Sequence, residues 1–135
     1  MKFCRQVSQE AILLTAMRLF RSAHKEVITT MDMDEEMQSP LPPAYHRLVA
    51  SKAGKGIVVR RFGFGSKRAF TTLAKHYAGI QFVYAGTKNT YQRMLVVDRK
   101  RAMFGLGGTI FYTEFIPLIE SLVKYIQIIY NKEDL

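Results

Sequence analysis

Tyr91 to Gly108 reads YQRMLVVDRKRAMFGLGG, and the fold turns on this stretch. Tyr91 and Arg93 stand two residues apart, just ahead of the apolar run Met94 to Val97. Asp98 opens a basic turn through Arg101, and Ala102 to Phe104 forms a second apolar run that ends among glycines. Two strands with so short a connection make an antiparallel hairpin. A hydroxyl, a guanidinium and a carboxylate thus surround a short apolar strand, a layout that looks like a phosphate-handling site.

Upstream the pattern alternates between helix and strand. Val7 to Ala23 has apolar residues at helical spacing, with Ser8 as a cap. Val27 to Met31 is a β-branched strand, and the acidic, proline-rich segment Asp32 to Pro43 reads as a loop. A helix over Ala44 to Ala53 follows, with Pro43 suited to its first turn, and Ile57 to Phe62 is a strand. The turn GFGS at 63 to 66 leads into a helix from Lys67 to Tyr77, with Ser66 as cap, and Ile80 to Tyr84 is another strand. Strand, helix, strand, helix, strand is a parallel α/β unit. Downstream, Thr109 to Thr113 is a last strand, and Thr113 caps a long apolar-faced helix from Glu114 to Tyr130 that could also serve a dimer seam. The expected fold class is α/β, a mixed and largely parallel sheet flanked by helices.

The chain has 135 residues, 48% of them hydrophobic, which suits one domain with a real core, whole or cut from a longer regulator. No stretch reaches the roughly 18 apolar residues of a membrane span, and the first segment has no secretory pattern. A lone cysteine, Cys4, excludes an internal disulfide framework and fits a reducing cytoplasm. The net charge of +9 is unevenly placed. Met37 to Val97 contains no acid and carries Arg47, Lys52, Lys55, Arg60, Arg61, Lys67, Arg68, Lys75, Lys88 and Arg93. Such a field attracts anions, among them phosphorylated ligands and nucleic acid. The acids Asp32, Asp34, Glu35 and Glu36 lack the glycine and closing glutamate of a calcium loop and read as a solvated face. His24, His46 and His76 have no metal-site spacing, so neither metal nor cofactor is expected.

Residues 91 to 108 resemble the motif of the phospholipase D-like superfamily: histidine, one residue, lysine, four residues, aspartate, then glycine, serine, any residue and asparagine. Tyr91 takes the histidine place and Arg93 the lysine place, while Asp98 and Gly105 stand as the aspartate and glycine. Leu106 replaces the serine and Gly108 the asparagine. In that family the histidine is the phosphate nucleophile or acid, the lysine binds phosphate, and the aspartate supports the histidine. The order of elements over residues 8 to 130 is similar to one half of such an enzyme. The resemblance therefore implies a phospholipase D-like fold whose chemistry has been removed.

The departures set the functional expectation. A tyrosine, with an ordinary pKa near 10, is a poor nucleophile without a strong base beside it. Arg93 keeps a charge and a planar fork for phosphate. The candidate ligand-binding residues are Tyr91, Arg93 and Asp98, with Ser66, Lys67 and Arg68 of the glycine turn offering N–H groups and charge to an anion at the same sheet edge. No catalytic residue is expected. Inactive relatives of the superfamily are ligand-sensing or oligomerisation domains of bacterial and archaeal transcription regulators. The resemblance thus points to a non-catalytic sensing domain for an anionic or phosphorylated small molecule, dimeric because active relatives pair two motif halves. The alternatives are a nucleic-acid-binding protein using the basic field, and a divergent phosphodiesterase using Tyr91.

Overall fold

The computed structural model describes residues 3–77 and 79–134, with side chains through residue 130. Seven strands form one sheet: β1 (Arg5–Val7), β2 (Glu26–Asp32), β3 (Val58–Phe64), β4 (Gln81–Gly86), β5 (Met94–Val97), β6 (Arg101–Leu106) and β7 (Thr109–Thr113), in the order β1-β7-β6-β5-β2-β3-β4. The helices are α1 (Ile12–Arg21), α2 (Met33–Gln38), α3 (Pro43–Gly54), α4 (Lys67–Ala74) and α5 (Ile116–Asp134).

The expected mixed α/β sheet is present. Its parallel part is confined to β2, β3 and β4. The pairings β1–β7, β2–β5, β5–β6 and β6–β7 are antiparallel, so "largely parallel" gives way to a sheet parallel on one side only. The reason lies in the connections: α3 and α4 return the chain for parallel pairing, whereas the two tight turns after β5 and β6 permit only antiparallel pairing.

Side chains of successive strand residues alternate between two cores. Val27, Val59, Leu95 and Val97 face α1 and α3, together with Leu19, Phe20, Tyr45 and Val49. Ile28, Phe62, Phe64 and Val96 face α5, which contributes Ile119, Leu122, Val123 and Ile126. A third cluster joins Met31 and Met33 to Ala69, Leu73 and Tyr77 around α4.

Two elements differ from expectation. The first helix does not begin at Val7: Arg5–Val7 is a strand that covers the outer edge of β7, pairing Arg5 with Tyr112 and Val7 with Ile110. An exposed strand edge gains from such cover, and local helix periodicity carries no trace of it. Ser8 makes no side-chain cap. The segment from Asp32 is not all loop, because Met33–Gln38 is helical. The Asp32 carboxylate accepts from the N–H groups of Asp34 (3.1 Å) and Glu35 (3.2 Å), and the acids of the first turn suit the positive end of the helix dipole. Met33, fully buried, anchors the turn to the sheet.

Candidate functional site

The segment ahead of β5 is pinned from both sides. The Thr30 hydroxyl donates to the Gln92 carbonyl (2.6 Å) and accepts from the Met94 N–H (2.9 Å). On the other side, the Gly105 N–H donates to the Arg93 carbonyl (3.0 Å), and the Gln92 amide donates to the Gly105 carbonyl (2.7 Å). Gly105 lies directly under the Arg93 side chain: a β-carbon there would fall 3.2 Å from the Arg93 Cβ. The motif glycine therefore makes room for the stem of the motif cation.

Tyr91 and Arg93 share a cavity of about 170 Å³ at the carboxyl end of β2. Burial pushes the Tyr91 phenol up to about 12, against the opposing pull of Arg93. The Arg93 guanidinium lies 3.5 Å from the Glu35 carboxylate, and both side chains are about half exposed. The acid cluster is thus not a detached solvated face. The end of β2 brings Asp32, and helix α2 brings Glu35 and Glu36, to the cavity wall, while Asp34 pairs with Lys88 at 3.0 Å.

Asp98 stands elsewhere. It lies at the opposite end of β5 from Arg93, roughly 17 Å along the strand at about 3.4 Å per residue. Its carboxylate accepts from the N–H groups of His24 (2.9 Å), Lys25 (2.8 Å) and Glu26 (3.0 Å). Burial acts to raise its pKa, and those N–H groups outweigh it, so the value is lowered. Asp98 thus ties the hairpin turn to the start of β2 and cannot support Tyr91. Asp98 and Arg99 have φ of 54° and 55°, and short polar aspartate tolerates that left-handed backbone better than most residues.

Ser66, Lys67 and Arg68 do reach the same edge of the sheet, beyond α2 from the cavity. Ser66 and Arg68 line a separate surface groove with Asp34 and Lys88. The Ser66 hydroxyl is occupied in capping α4, accepting from the Ala69 N–H (3.1 Å). The Lys67 ammonium sits 5.9 Å above the Tyr84 ring. Leu106 is exposed, and Gly107 and Gly108, both at positive φ, form the two-residue turn between paired Leu106 and Thr109. The end of the motif has become an ordinary hairpin turn.

One wall residue of the cavity is not marked by the motif. Arg61, on β3, is only 3% exposed, and its Nε and Nη1 have no hydrogen-bond partner among the described residues. The Tyr45 and Tyr77 rings lie 5.6 and 5.2 Å from its guanidinium carbon. The alternation of IVVRRF could have revealed it, since Arg61 shares its face with buried Val59. Residue counts alone place it in the basic surface field, which its burial corrects.

Similar architecture occurs among solved structures. Nuc from Salmonella typhimurium, a phospholipase D family member, superposes with a TM-score of 0.65 at 12% identity, covering 95% of this chain and 93% of Nuc. The fold is phospholipase D-like. NucT from Helicobacter pylori gives a TM-score of 0.63 at 15% identity, covering 93% of this chain and 92% of its own. TrmBL2, an archaeal chromatin protein with a novel mode of DNA binding, gives 0.72 at 11% identity, covering 97% of this chain. The phospholipase D-like chain here spans about half of TrmBL2, 53% of its length. No family model and no curated protein matches the chain by sequence. At these identities the likeness is one of fold.

Proposed function

We infer that this chain is a non-catalytic anion-binding domain with a regulatory role. The observation that carries the reading is the pairing of Tyr91 with Arg93 in one cavity: the charge for an anion is kept and the nucleophile is not. With its phenol at about 12, only about one Tyr91 in 10⁵ is ionised at pH 7. No histidine stands among the residues lining the cavity, and His46 is paired with Glu36 at 3.3 Å. Attack on phosphorus followed by proton exchange near neutral pH therefore has no agent.

A homodimer belongs to this reading, because a single motif half makes only half of the paired cleft that active relatives build. The test combines calorimetric titration with inorganic phosphate and phenyl phosphate, an assay on bis(p-nitrophenyl) phosphate, and light scattering for mass. Saturable binding that Arg93→Ala removes, without turnover, supports the proposal. Turnover abolished by Tyr91→Phe sinks it in favour of a divergent phosphodiesterase.

A second reading is favoured by the likeness to TrmBL2 and by the exposed cations Arg47, Lys55, Lys67, Arg68 and Lys75. In that reading the protein binds nucleic acid through its surface. Duplex binding that falls steeply with salt and ignores Arg93→Ala would favour it, because each phosphate contact contributes about 0.9 to the slope of log affinity against log salt.

A further inference from the structure

We propose that the cavity behind Arg93 receives a small organic monocarboxylate, held by the buried guanidinium of Arg61. The inference rests on the anion-binding reading of this cavity and adds a second seat, at buried Arg61, to the exposed one at Arg93. The first ground is an uncommitted charge. Asp32 caps α2, Glu35 pairs with Arg93, and Glu36 accepts from the Leu41 N–H at 3.0 Å while meeting His46 at 3.3 Å. Among the charged residues of the wall, Arg61 and Asp32 have no ion-pair partner among the described residues; the Asp32 carboxylate is met by N–H groups, whereas two donor nitrogens of Arg61 are unsatisfied. A buried cation with unmet donors is costly, and an oxyanion meets both needs with charge-assisted hydrogen bonds.

The second ground is preorganisation. The Tyr45 and Tyr77 rings flank the guanidinium and supply partial compensation through their faces, but ring faces leave the N–H donors of the guanidinium edge unmet. Arg61 is built into the middle of the three parallel strands, opposite Thr29 on β2 and Phe82 on β4, so its stem has little freedom to leave.

The third ground selects the ligand. Three carboxylates and two guanidiniums line the same cavity, so a dianion meets more repulsion there than a monoanion. A phosphate monoester carries about 1.5 to 2 negative charges near pH 7, whereas a carboxylate carries one. Ile12, Ala16, Met31 and Leu41 supply apolar wall for the rest of the molecule. The volume of about 170 Å³ fits a body of benzene size, which occupies a cavity of about 150 Å³.

The test titrates the full chain with benzoate, hexanoate and inorganic phosphate, following the arginine Nε–H resonances by NMR and the melting temperature. Arg61→Met removes the charge at similar volume, a change that buried ion sites commonly tolerate. Arg61→Lys keeps the charge without the fork. Carboxylate binding that shifts the Arg61 Nε–H signal, raises the melting temperature, and weakens at least about tenfold in Arg61→Met supports the proposal. Arg93→Ala should change that binding less than about threefold, as an exposed charge does. A wild-type Arg61 signal unmoved by either carboxylate overturns the proposal even if Arg61→Met fails to fold. Carboxylate binding lost in Arg93→Ala but kept in Arg61→Met would overturn it while leaving the anion-binding function standing. Failure of every anion to bind would remove both.

Discussion

The Arg93 guanidinium and the Glu35 carboxylate meet at 3.5 Å, joining the motif strand to the acidic helix α2. An internal acid therefore sits where an external anion would approach. Exposed pairs of this kind contribute about 0–1 kcal/mol, little enough for a ligand to displace. Glu35→Gln should tighten phosphate binding by about two- to fivefold and leave stability within about 0.5 kcal/mol. Calorimetry and urea unfolding check the two parts. Unchanged affinity would mean that Arg93 does not meet the ligand.

Tyr91 sets an alkaline limit. Its folded pKa of about 12 lies above the ordinary value of 10.0, so its neutral form is the one that folding favours. The resulting stability is fully present below about pH 10 and is lost as pH rises through about 12. Tyr77 behaves alike, its phenol raised to about 12 chiefly by burial. Tyr91→Phe should remove one late-ionising phenol from the absorbance titration near 295 nm and flatten the loss of stability above pH 10. A titration identical to wild type would contradict the burial of Tyr91.

Asp98 sets an acid limit. Its folded pKa is lowered below the ordinary value of 3.8, so its contribution is present above about pH 4 and lost as pH falls through the lowered value. Asp98→Asn should cost about 1–2 kcal/mol at pH 7, less than three fully buried charged hydrogen bonds because the carboxylate is partly exposed. It should leave anion binding unchanged within about twofold, since Asp98 lies at the far end of β5. Loss of binding without loss of stability would return Asp98 to the site.

Gly105 supports Arg93 by having no side chain. In Gly105→Ala the new Cβ would lie 3.2 Å from the Arg93 Cβ and 3.3 Å from Ile110 Cδ1. Overpacking of this kind costs about 1–3 kcal/mol, and the Arg93 Cβ, fixed to the backbone, cannot rotate out of the way. Phosphate affinity should fall as the guanidinium is displaced. Wild-type stability and affinity together would show that the space is not needed.

Several elements were legible because their signals are local. Met94–Val97 and Thr109–Thr113 have the bounds that their apolar and β-branched patterns predict, and Pro43 opens α3 as its fixed φ permits. The Ser66 cap of α4 follows from one side chain and one nearby N–H. Strand β1 escaped because its only reason to be extended is the edge of β7, more than a hundred residues away. Helix α2 escaped because prolines and acids dominate its segment, while its stability comes from the Asp32 cap and from Met33 packed in the sheet.

The sequence by itself determined the α/β class, the β5–β6 hairpin, and the placing of Tyr91 and Arg93 just ahead of it. Those properties reside in periodicity, turn chemistry and the identity of single residues. Tertiary structure decided which charges meet. It placed Asp98 away from Tyr91, set Glu35 against Arg93, and enclosed Arg61 between two tyrosines. Electrostatic energies depend on distance and burial, and both are set by folding rather than by order along the chain. A residue counted as one charge of a basic surface is, in the folded protein, a buried side chain on the wall of a cavity.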